Sequence, residues 1–218
     1  MTQCKLVIFD VDGTLYNQSK LRRKMLISLL SFYALRPWRY KELLILQTFR
    51  AEREKRTGNV GTDLENAQYE WCAQKARASV EKIKRVVDHW IFNYPNPFLA
   101  SFIYPGVKSL FNKLREKDIK IAIYSDYKAS SKMLAMGLDA DLIVSSTDSN
   151  IDRFKPDPTA IKYIMDKYNV TATECLFVGD REELDGLCAA NAGVPYLILD
   201  KNTDPESFFK NIQNRVIL

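Results

Sequence analysis

Residues 4–16 read CKLVIFDVDGTLY, an apolar run that leads directly into two aspartates, a glycine and a threonine. The run is continuous rather than alternating, which is typical of a strand in a parallel sheet covered on both faces. Side chains alternate along a strand, so Asp10 and Asp12 are expected to face one side while Val11 points away and Gly13 lets the backbone turn. We therefore expect two carboxylates in one pocket beyond the strand's carboxyl end, where open parallel sheets bind ligands.

Four further short apolar runs predict four more buried strands. They read IKIAIY (119–124), DLIV (141–144), CLFV (175–178) and YLIL (196–199). Helical patterns separate them, including residues 107–117, residues 158–168 with Pro158 at a first turn, and residues 184–193 with Gly193 as terminator. The alternation predicts an α/β fold with a Rossmann-like parallel sheet as its core.

About a hundred residues separate the first two predicted strands, and almost all of them favour helix. Helical segments are predicted near residues 19–35, 38–57, 62–78 and 79–92, separated at Pro37 and at residues 57–61 and ended by Pro95 and Pro97. We predict an inserted helical-bundle domain over residues 17–103. Residues 1–16 and 104–218 would then form the core domain.

The composition predicts an ordinary globular protein, with 46% hydrophobic and 27% charged residues. The four cysteines lack CxxC spacing, which favours buried thiols in a reducing compartment, and the chain is expected to be cytoplasmic. No signal peptide is expected, because the first apolar run ends at an acidic residue after a few positions. The stretch from residue 25 to residue 35 is shorter than the roughly 20 residues of a membrane span.

Charge is unevenly distributed along the chain. The predicted insertion carries a net charge of +8, which leaves −3 for the remainder of a chain whose total is +5. Such a basic surface can attract anionic substrates, nucleic acid or an anionic membrane, but scattered charges on helices are commonly just a solvated face. The sequence leaves these alternatives open.

Polar residues also follow the other predicted strands. Ser125 and Asp126 follow IKIAIY, Lys155 lies in RFKPDP, and Asp180 ends LFVGD with Asp185 five positions later. From the first motif alone, a solvated acidic turn stays possible. A calcium loop of the EF-hand type does not fit, because Thr14, Leu15 and Leu21 occupy positions where that loop needs an oxygen ligand, a glycine and a glutamate.

Four motifs, DVDGTL, YSD, KPDP and GDREELD, occur in this order, and with them the chain resembles the haloacid dehalogenase superfamily. The resemblance covers Cys4 to Tyr16 and Tyr104 to about Asp200. It implies an enzyme of the phosphatase branch that uses Mg²⁺, with the helical insertion as a C1-type cap. The cap resembles no particular subfamily, so no individual substrate is implied.

The resemblance implies a role for each acidic residue. Asp10 would be the nucleophile and a Mg²⁺ ligand, and Asp12 would be the general acid and base and bind the metal through its backbone carbonyl. Asp180 would complete the metal ligands. Asp185 is expected to orient those ligands or to contact the metal through water, with Glu183 as the competing candidate.

The resemblance also implies that Thr14, Ser125, Asp126 and Lys155 contact the substrate phosphate. One departure concerns Asp126, because the family commonly has Asn after the Ser or Thr of its second motif. A main-chain N–H donor is preserved by aspartate, whereas its carboxylate would repel phosphate mildly unless it points away or pairs with Lys155.

The motifs favour hydrolysis of a small phosphomonoester through an aspartyl-phosphate. A carbon–halogen hydrolase needs the nucleophile but not Asp12, so dehalogenation is disfavoured. A phosphomutase, or a non-catalytic regulatory or binding module on the same scaffold, stays an alternative. The expected partner is a small phosphorylated metabolite rather than nucleic acid, and the oligomeric state is left open.

Overall fold

A five-stranded parallel sheet forms the centre of the computed structural model, which describes residues 3–58 and 63–217. The strand order is β3-β2-β1-β4-β5, and every neighbouring pair is parallel. The strands are β1 (Leu6–Phe9), β2 (Lys120–Ser125), β3 (Leu142–Ser145), β4 (Cys175–Gly179) and β5 (Tyr196–Ile198). All five strands predicted from the sequence are confirmed, and β1, which carries the aspartate motif, lies at the centre of the sheet.

The described residues of the predicted insertion, 17–103, form helices and no strand. The α-helices are α1 (Gln18–Ala34), α2 (Lys41–Glu54), α3 (Leu64–Ala76), α4 (Val80–Val87) and α5 (Asn96–Leu99). A π-helical segment (Asp88–Asn93) and two 3₁₀ turns (Pro37–Arg39 and Ala100–Phe102) complete the segment. The helix predicted from residue 38 begins later, because Pro37 starts a 3₁₀ turn. The predicted break at residues 57–61 lies between α2 and α3, and its residues 59–61 fall outside the described residues.

The chain enters and leaves this helical segment side by side. The main-chain N–H of Asn17 donates to the carbonyl of Phe102 at 2.8 Å, and Tyr16 forms an antiparallel bridge with Ile103. The side chain of Asn17 also caps α1 by accepting from the N–H of Lys20 at 2.9 Å. These contacts lie at the predicted boundaries, while the division into two domains stays a prediction.

Five further helices follow in the second part of the chain: α6 (Val107–Glu116), α7 (Ser130–Met136), α8 (Thr159–Tyr168), α9 (Leu187–Asn191) and α10 (Pro205–Ile217). Pro158 directly precedes α8 rather than lying in its first turn. Helices α7 and α10 were not identified from the sequence. Helix α7 spans only seven residues and offers little periodicity, whereas α10 buries Phe208, Phe209, Ile212 and Val216 at readable helical spacing.

The two faces of the sheet pack into separate apolar clusters, because successive side chains of a strand point to opposite sides. Leu6 and Ile8 of β1 pack in one cluster with side chains of α8 and α9. Val7 and Phe9 pack in the other, which includes side chains of α6, α10 and the helical insertion. Burial on both faces explains why the strands read as continuous apolar runs.

All four cysteines have free thiols, and Cys72, Cys175 and Cys188 are buried, as the sequence predicted. Within the described residues, no helix combines the length and the apolar character needed to cross a bilayer.

Candidate active site

The carboxyl ends of the three central strands bring the predicted site residues together. Asp10 directly follows β1, Ser125 ends β2 and Asp180 directly follows β4. Because β1 is hydrogen-bonded to both neighbours in parallel register, these ends meet at one edge of the sheet. The N–H of Asp10 donates to the carbonyl of Val178 at 2.9 Å and extends this pairing into the site.

Lys155 connects two of the predicted acids in the interior. Its Nζ donates to Oδ1 of Asp10 at 2.6 Å and to Oδ1 of Asp185 at 2.8 Å, and the lysine is only 1% exposed. Burial alone would lower the pKa of Lys155, but the charges of Asp10 and Asp185 raise it well above its usual range. Lys155 therefore carries a fixed positive charge beside the proposed nucleophile. A surface lysine would not show this burial or these partners.

Three carboxylates crowd around one point. Asp10, Asp180 and Asp185 each offer an oxygen within 4.8 Å of the others. Burial, opposed by Lys155, raises the pKa of Asp10 to about 8, and the charges of Asp185 and Asp180 add to the rise. Burial and the charge of Asp185 likewise raise the pKa of Asp180 to about 6. Such mutual repulsion is relieved by a cation held between the carboxylates.

The donor atoms fit a magnesium ion, which prefers carboxylate oxygens. Oδ1 of Asp180 is buried and lacks a hydrogen-bond partner within the described structure, so it is available as a ligand. Gly13, with φ +103°, passes so close to Asp180 that a side chain there would collide with its carboxylate. Glycine at position 13, which has no side chain, therefore leaves room for the carboxylate of Asp180.

Asp185 has both carboxylate oxygens engaged. Besides Lys155 on Oδ1, its Oδ2 accepts from the main-chain N–H groups of Asp180 and Arg181, each at 3.1 Å. Burial would raise the pKa of Asp185, but the charge and hydrogen bond of Lys155 outweigh it and lower the pKa. Asp185 thus holds the turn that carries Asp180, whereas Glu183 is exposed. These contacts agree with the predicted role of Asp185 in orienting metal ligands, and the choice between Asp185 and Glu183 stays a prediction.

Asp12 has partners that sequence reasoning missed. Nζ of Lys132, in α7, lies 2.6 Å from both oxygens of Asp12, and the hydroxyl of Tyr16 donates to Oδ1. Burial would raise the pKa of Asp12, but the charge and hydrogen bond of Lys132 outweigh it and lower the pKa. The only signal in the sequence is a lysine in a short, largely apolar helix after the second motif. That helix itself was not identified.

The residues expected to contact phosphate have different surroundings. Thr14 is fully buried, and its hydroxyl donates to Oδ2 of Asp10 at 3.2 Å, so it orients the carboxylate in this structure. Ser125 lines the cavity, and its hydroxyl oxygen accepts from the N–H of Tyr127 at 3.3 Å. The carboxylate of Asp126 points to Arg181 (2.9 Å) and to Ser146 (3.2 Å) rather than to Lys155.

Arg53 of α2 joins the helical segment to the sheet edge. Its guanidinium donates to the main-chain carbonyl of Asp126 and to the side chain of Gln68. It lies over the rings of Tyr127 and Phe154, with 4.2 Å and 4.6 Å to the ring centroids. Arg53 is 7% exposed, so its guanidinium contacts the turn after β2 largely out of reach of solvent.

A cavity of about 430 Å³ lies between the helical segment and the sheet edge. Asp10, Asp12, Ser125 and Lys155 line it on the sheet side, and side chains of α1 and α2 line it on the other. The predicted catalytic residues therefore face a cavity large enough for a small organic molecule. Asp180 and Asp185 are not among the residues that line it.

Known proteins resemble this chain in sequence and in fold. Phosphoglycolate phosphatase of Haemophilus influenzae (strain 86-028NP) is 28% identical over 198 residues, which cover 88% of this chain and 84% of the relative. A structure of 2-haloacid dehalogenase from Pseudomonas syringae pv. Tomato DC3000 superposes with a TM-score of 0.66 at 15% identity, covering 98% of this chain and 100% of its own. That of β-phosphoglucomutase from Clostridium difficile gives 0.61 at 17% identity, covering 99% of both.

The two structural neighbours have names that describe different reactions, so the shared fold does not by itself choose the chemistry. The family is decided by a separate comparison. The model of haloacid dehalogenase-like hydrolases matches residues 4–193, which is most of the chain. The predicted α/β fold and the predicted superfamily are thereby confirmed, and the chain belongs to the haloacid dehalogenase-like hydrolases.

Proposed function

We propose that this hydrolase is a Mg²⁺-dependent phosphatase that cleaves a small phosphomonoester through an aspartyl-phosphate on Asp10. The observation that carries the proposal is the pair Asp10 and Asp12, which line one cavity, each bound to its own lysine. Dehalogenation requires only the first carboxylate. Curated relatives named phosphoglycolate phosphatase support a phosphomonoester as substrate.

Asp10 acts as the nucleophile. Its carboxylate oxygen attacks phosphorus, a bond forms between Asp10 and phosphorus, and the bond to the leaving oxygen breaks. Lys155 favours the ionised form of Asp10 and offers its charge to the phosphoryl oxygens, while Thr14 orients the second carboxylate oxygen. Ser125, at the end of β2, supplies a hydroxyl on the same side of the cavity.

Asp12 transfers the protons. In its ionised form it takes a proton from the water that hydrolyses the aspartyl-phosphate. It must be protonated to serve as acid for the leaving oxygen in the first step. The approach of an anionic phosphate favours that protonated form, because a like charge raises the pKa of a carboxyl group. Lys132 and Tyr16 hold Asp12 in place for both steps.

Magnesium would be held by Asp10 and Asp180, together with the main-chain carbonyl of Asp12. Asp185 would orient these ligands. When bound, the ion supplies positive charge that reduces repulsion between an anionic nucleophile and phosphate. A divalent ion would also favour the ionised forms of these groups, since four carboxylates face two buried lysine ammonium groups: Asp10, Asp12, Asp180 and Asp185 against Lys132 and Lys155. Residues 17–103 would form the cap domain that closes the cavity.

A screen of phosphorylated metabolites with Mg²⁺, measuring inorganic phosphate, tests the proposal. We expect phosphate release and a phosphoenzyme that is trapped by acid quench. Transfer of phosphate within one substrate, without net release, would instead identify a phosphomutase. Inactivity with every ester tested would favour a binding module on this scaffold.

A further inference from the structure

The cavity has an apolar side as well as a catalytic one, and from it we infer that the substrate is a phosphomonoester of an apolar alcohol. The alkyl or aryl body would lie against the helical cap while the phosphate meets Asp10. This inference rests on the proposed phosphatase activity. It specifies the class of alcohol that leaves in the reaction, which the catalytic residues alone do not select.

One part of the cap-side wall is built from hydrocarbon and ring surfaces, while Gln18, Arg22, Arg50, Glu54 and Thr57 line another part. Leu21 and Met25 of α1, Leu46 of α2, Trp90 and Leu99 all line the apolar part, and each is at most 7% exposed. They belong to the large apolar cluster on this face of the sheet, so the wall is fixed by packing. A ligand in the cavity therefore meets a preformed apolar surface directly beside the catalytic acids.

A polar leaving group gains little from the apolar part of this wall. Hydroxyl or carboxylate groups placed against it would lose water without gaining hydrogen bonds, which costs free energy. Four arginines line the cavity: Arg53 is engaged with Asp126 and Gln68, Arg181 is engaged with the carboxylate of Asp126, and Arg22 and Arg50 are exposed to solvent. An apolar body, in contrast, is stabilised by every methylene that it buries.

Leu26 of α1 gives the inference a position that can be tested. It lines the cavity yet is 56% exposed, so its side chain is not needed to hold the helix in place. Leu30 lies one turn further along the same helix, is 60% exposed and does not line the cavity. The two leucines form a matched pair that differs in contact with the proposed ligand.

The experiment measures kcat/KM for the series ethyl, butyl and hexyl phosphate, with phosphoglycolate for comparison, using the full chain with Mg²⁺. The alkyl esters share one kind of leaving alkoxide, so differences report contact with the apolar body. We expect kcat/KM to rise by up to about fourfold per buried methylene and to exceed that for phosphoglycolate. Equal values along the series, or a preference for phosphoglycolate, would overturn the inference while leaving the phosphatase proposal intact. No hydrolysis of any ester would instead reject the phosphatase proposal.

The variants Leu26→Ser and Leu30→Ser then locate the alkyl chain. We expect Leu26→Ser to lower kcat/KM for hexyl phosphate by about two- to fivefold, and to lower it less for ethyl phosphate, whose shorter chain buries fewer methylenes. Leu30→Ser should leave both values unchanged. A chain-length preference that is the same in Leu26→Ser as in the parent would place the alkyl body elsewhere and overturn the assignment to this wall.

Discussion

A Cβ atom on Gly13 would lie 2.7 Å from Cγ of Asp180, well inside the distance at which two carbon atoms are in comfortable contact. The turn after β1 therefore packs directly against the turn after β4, because residue 13 has no side chain. The position of the Asp180 carboxylate, which we propose as a magnesium ligand, depends on this close approach.

We expect Gly13→Ala to displace the Asp180 carboxylate and to reduce turnover strongly. Gly137→Ala is the control, because Gly137 also has a positive φ of +63° but nothing lies within 4 Å of its added Cβ. The backbone strain alone should cost about 1–2 kcal/mol of stability in the control. Thermal unfolding and initial rates separate the effects. Full activity in Gly13→Ala would show that the position of Asp180 is not critical.

Asp10→Asn should abolish turnover without unfolding the chain, because the substitution removes the nucleophile and nearly preserves its shape. A loss of at least about a thousandfold, near 4 kcal/mol of transition-state stabilisation, is expected. Lys155 keeps Asp185 as an anionic partner. Mass spectrometry of the acid-quenched parent should find a phosphoryl group on Asp10. If Asp10→Asn has the turnover rate and the melting temperature of the parent protein, the covalent mechanism is wrong.

Chelation should remove the activity and added Mg²⁺ should restore it. Asp180→Ala should weaken Mg²⁺ binding, since the variant lacks the buried carboxylate oxygen that has no hydrogen-bond partner among the described residues. Glu183→Ala, which removes a nearby exposed acid, should leave Mg²⁺ binding unchanged. Mg²⁺ binding is measured independently of turnover by the rise in melting temperature that Mg²⁺ causes. A Mg²⁺ concentration of a hundred times Kd should stabilise the folded protein by about 2.7 kcal/mol. Undiminished rates in excess chelator contradict the metal requirement.

Asp12→Asn should affect two classes of ester unequally. An alkyl phosphate leaves as a poor alkoxide and needs a proton, whereas an activated aryl phosphate such as p-nitrophenyl phosphate leaves readily. The aryl ester should therefore still phosphorylate Asp10 in the variant. Hydrolysis of the aspartyl-phosphate should stay slow, so rapid-mixing kinetics should find a stoichiometric burst of aryl alcohol followed by slow turnover. Equal slowing of both esters without a burst would remove Asp12 from the acid/base role.

The strands and the sheet-edge acids were predictable because each depends on a local pattern. A continuous apolar run that ends in Asp10 and Asp12 contains both the buried strand and the exit from the sheet. Lys132 and Arg53 were not singled out as site residues, because their importance comes from contacts with residues 120 and 73 positions away along the chain. In sequence they resemble the many other basic residues of helices, and only burial distinguishes them.

The contact between Arg53 and the carbonyl of Asp126 has an evolutionary consequence. Every amino acid carries a main-chain carbonyl, so substitutions at position 126 leave the acceptor in place, whereas the donor is lost when Arg53 is replaced by a residue without a comparable reach. Position 126 can therefore drift in sequence without losing this hydrogen bond to α2. The heritable constraint on this hydrogen bond falls on Arg53, while the rings of Tyr127 and Phe154 under the same guanidinium constrain the other side of the junction.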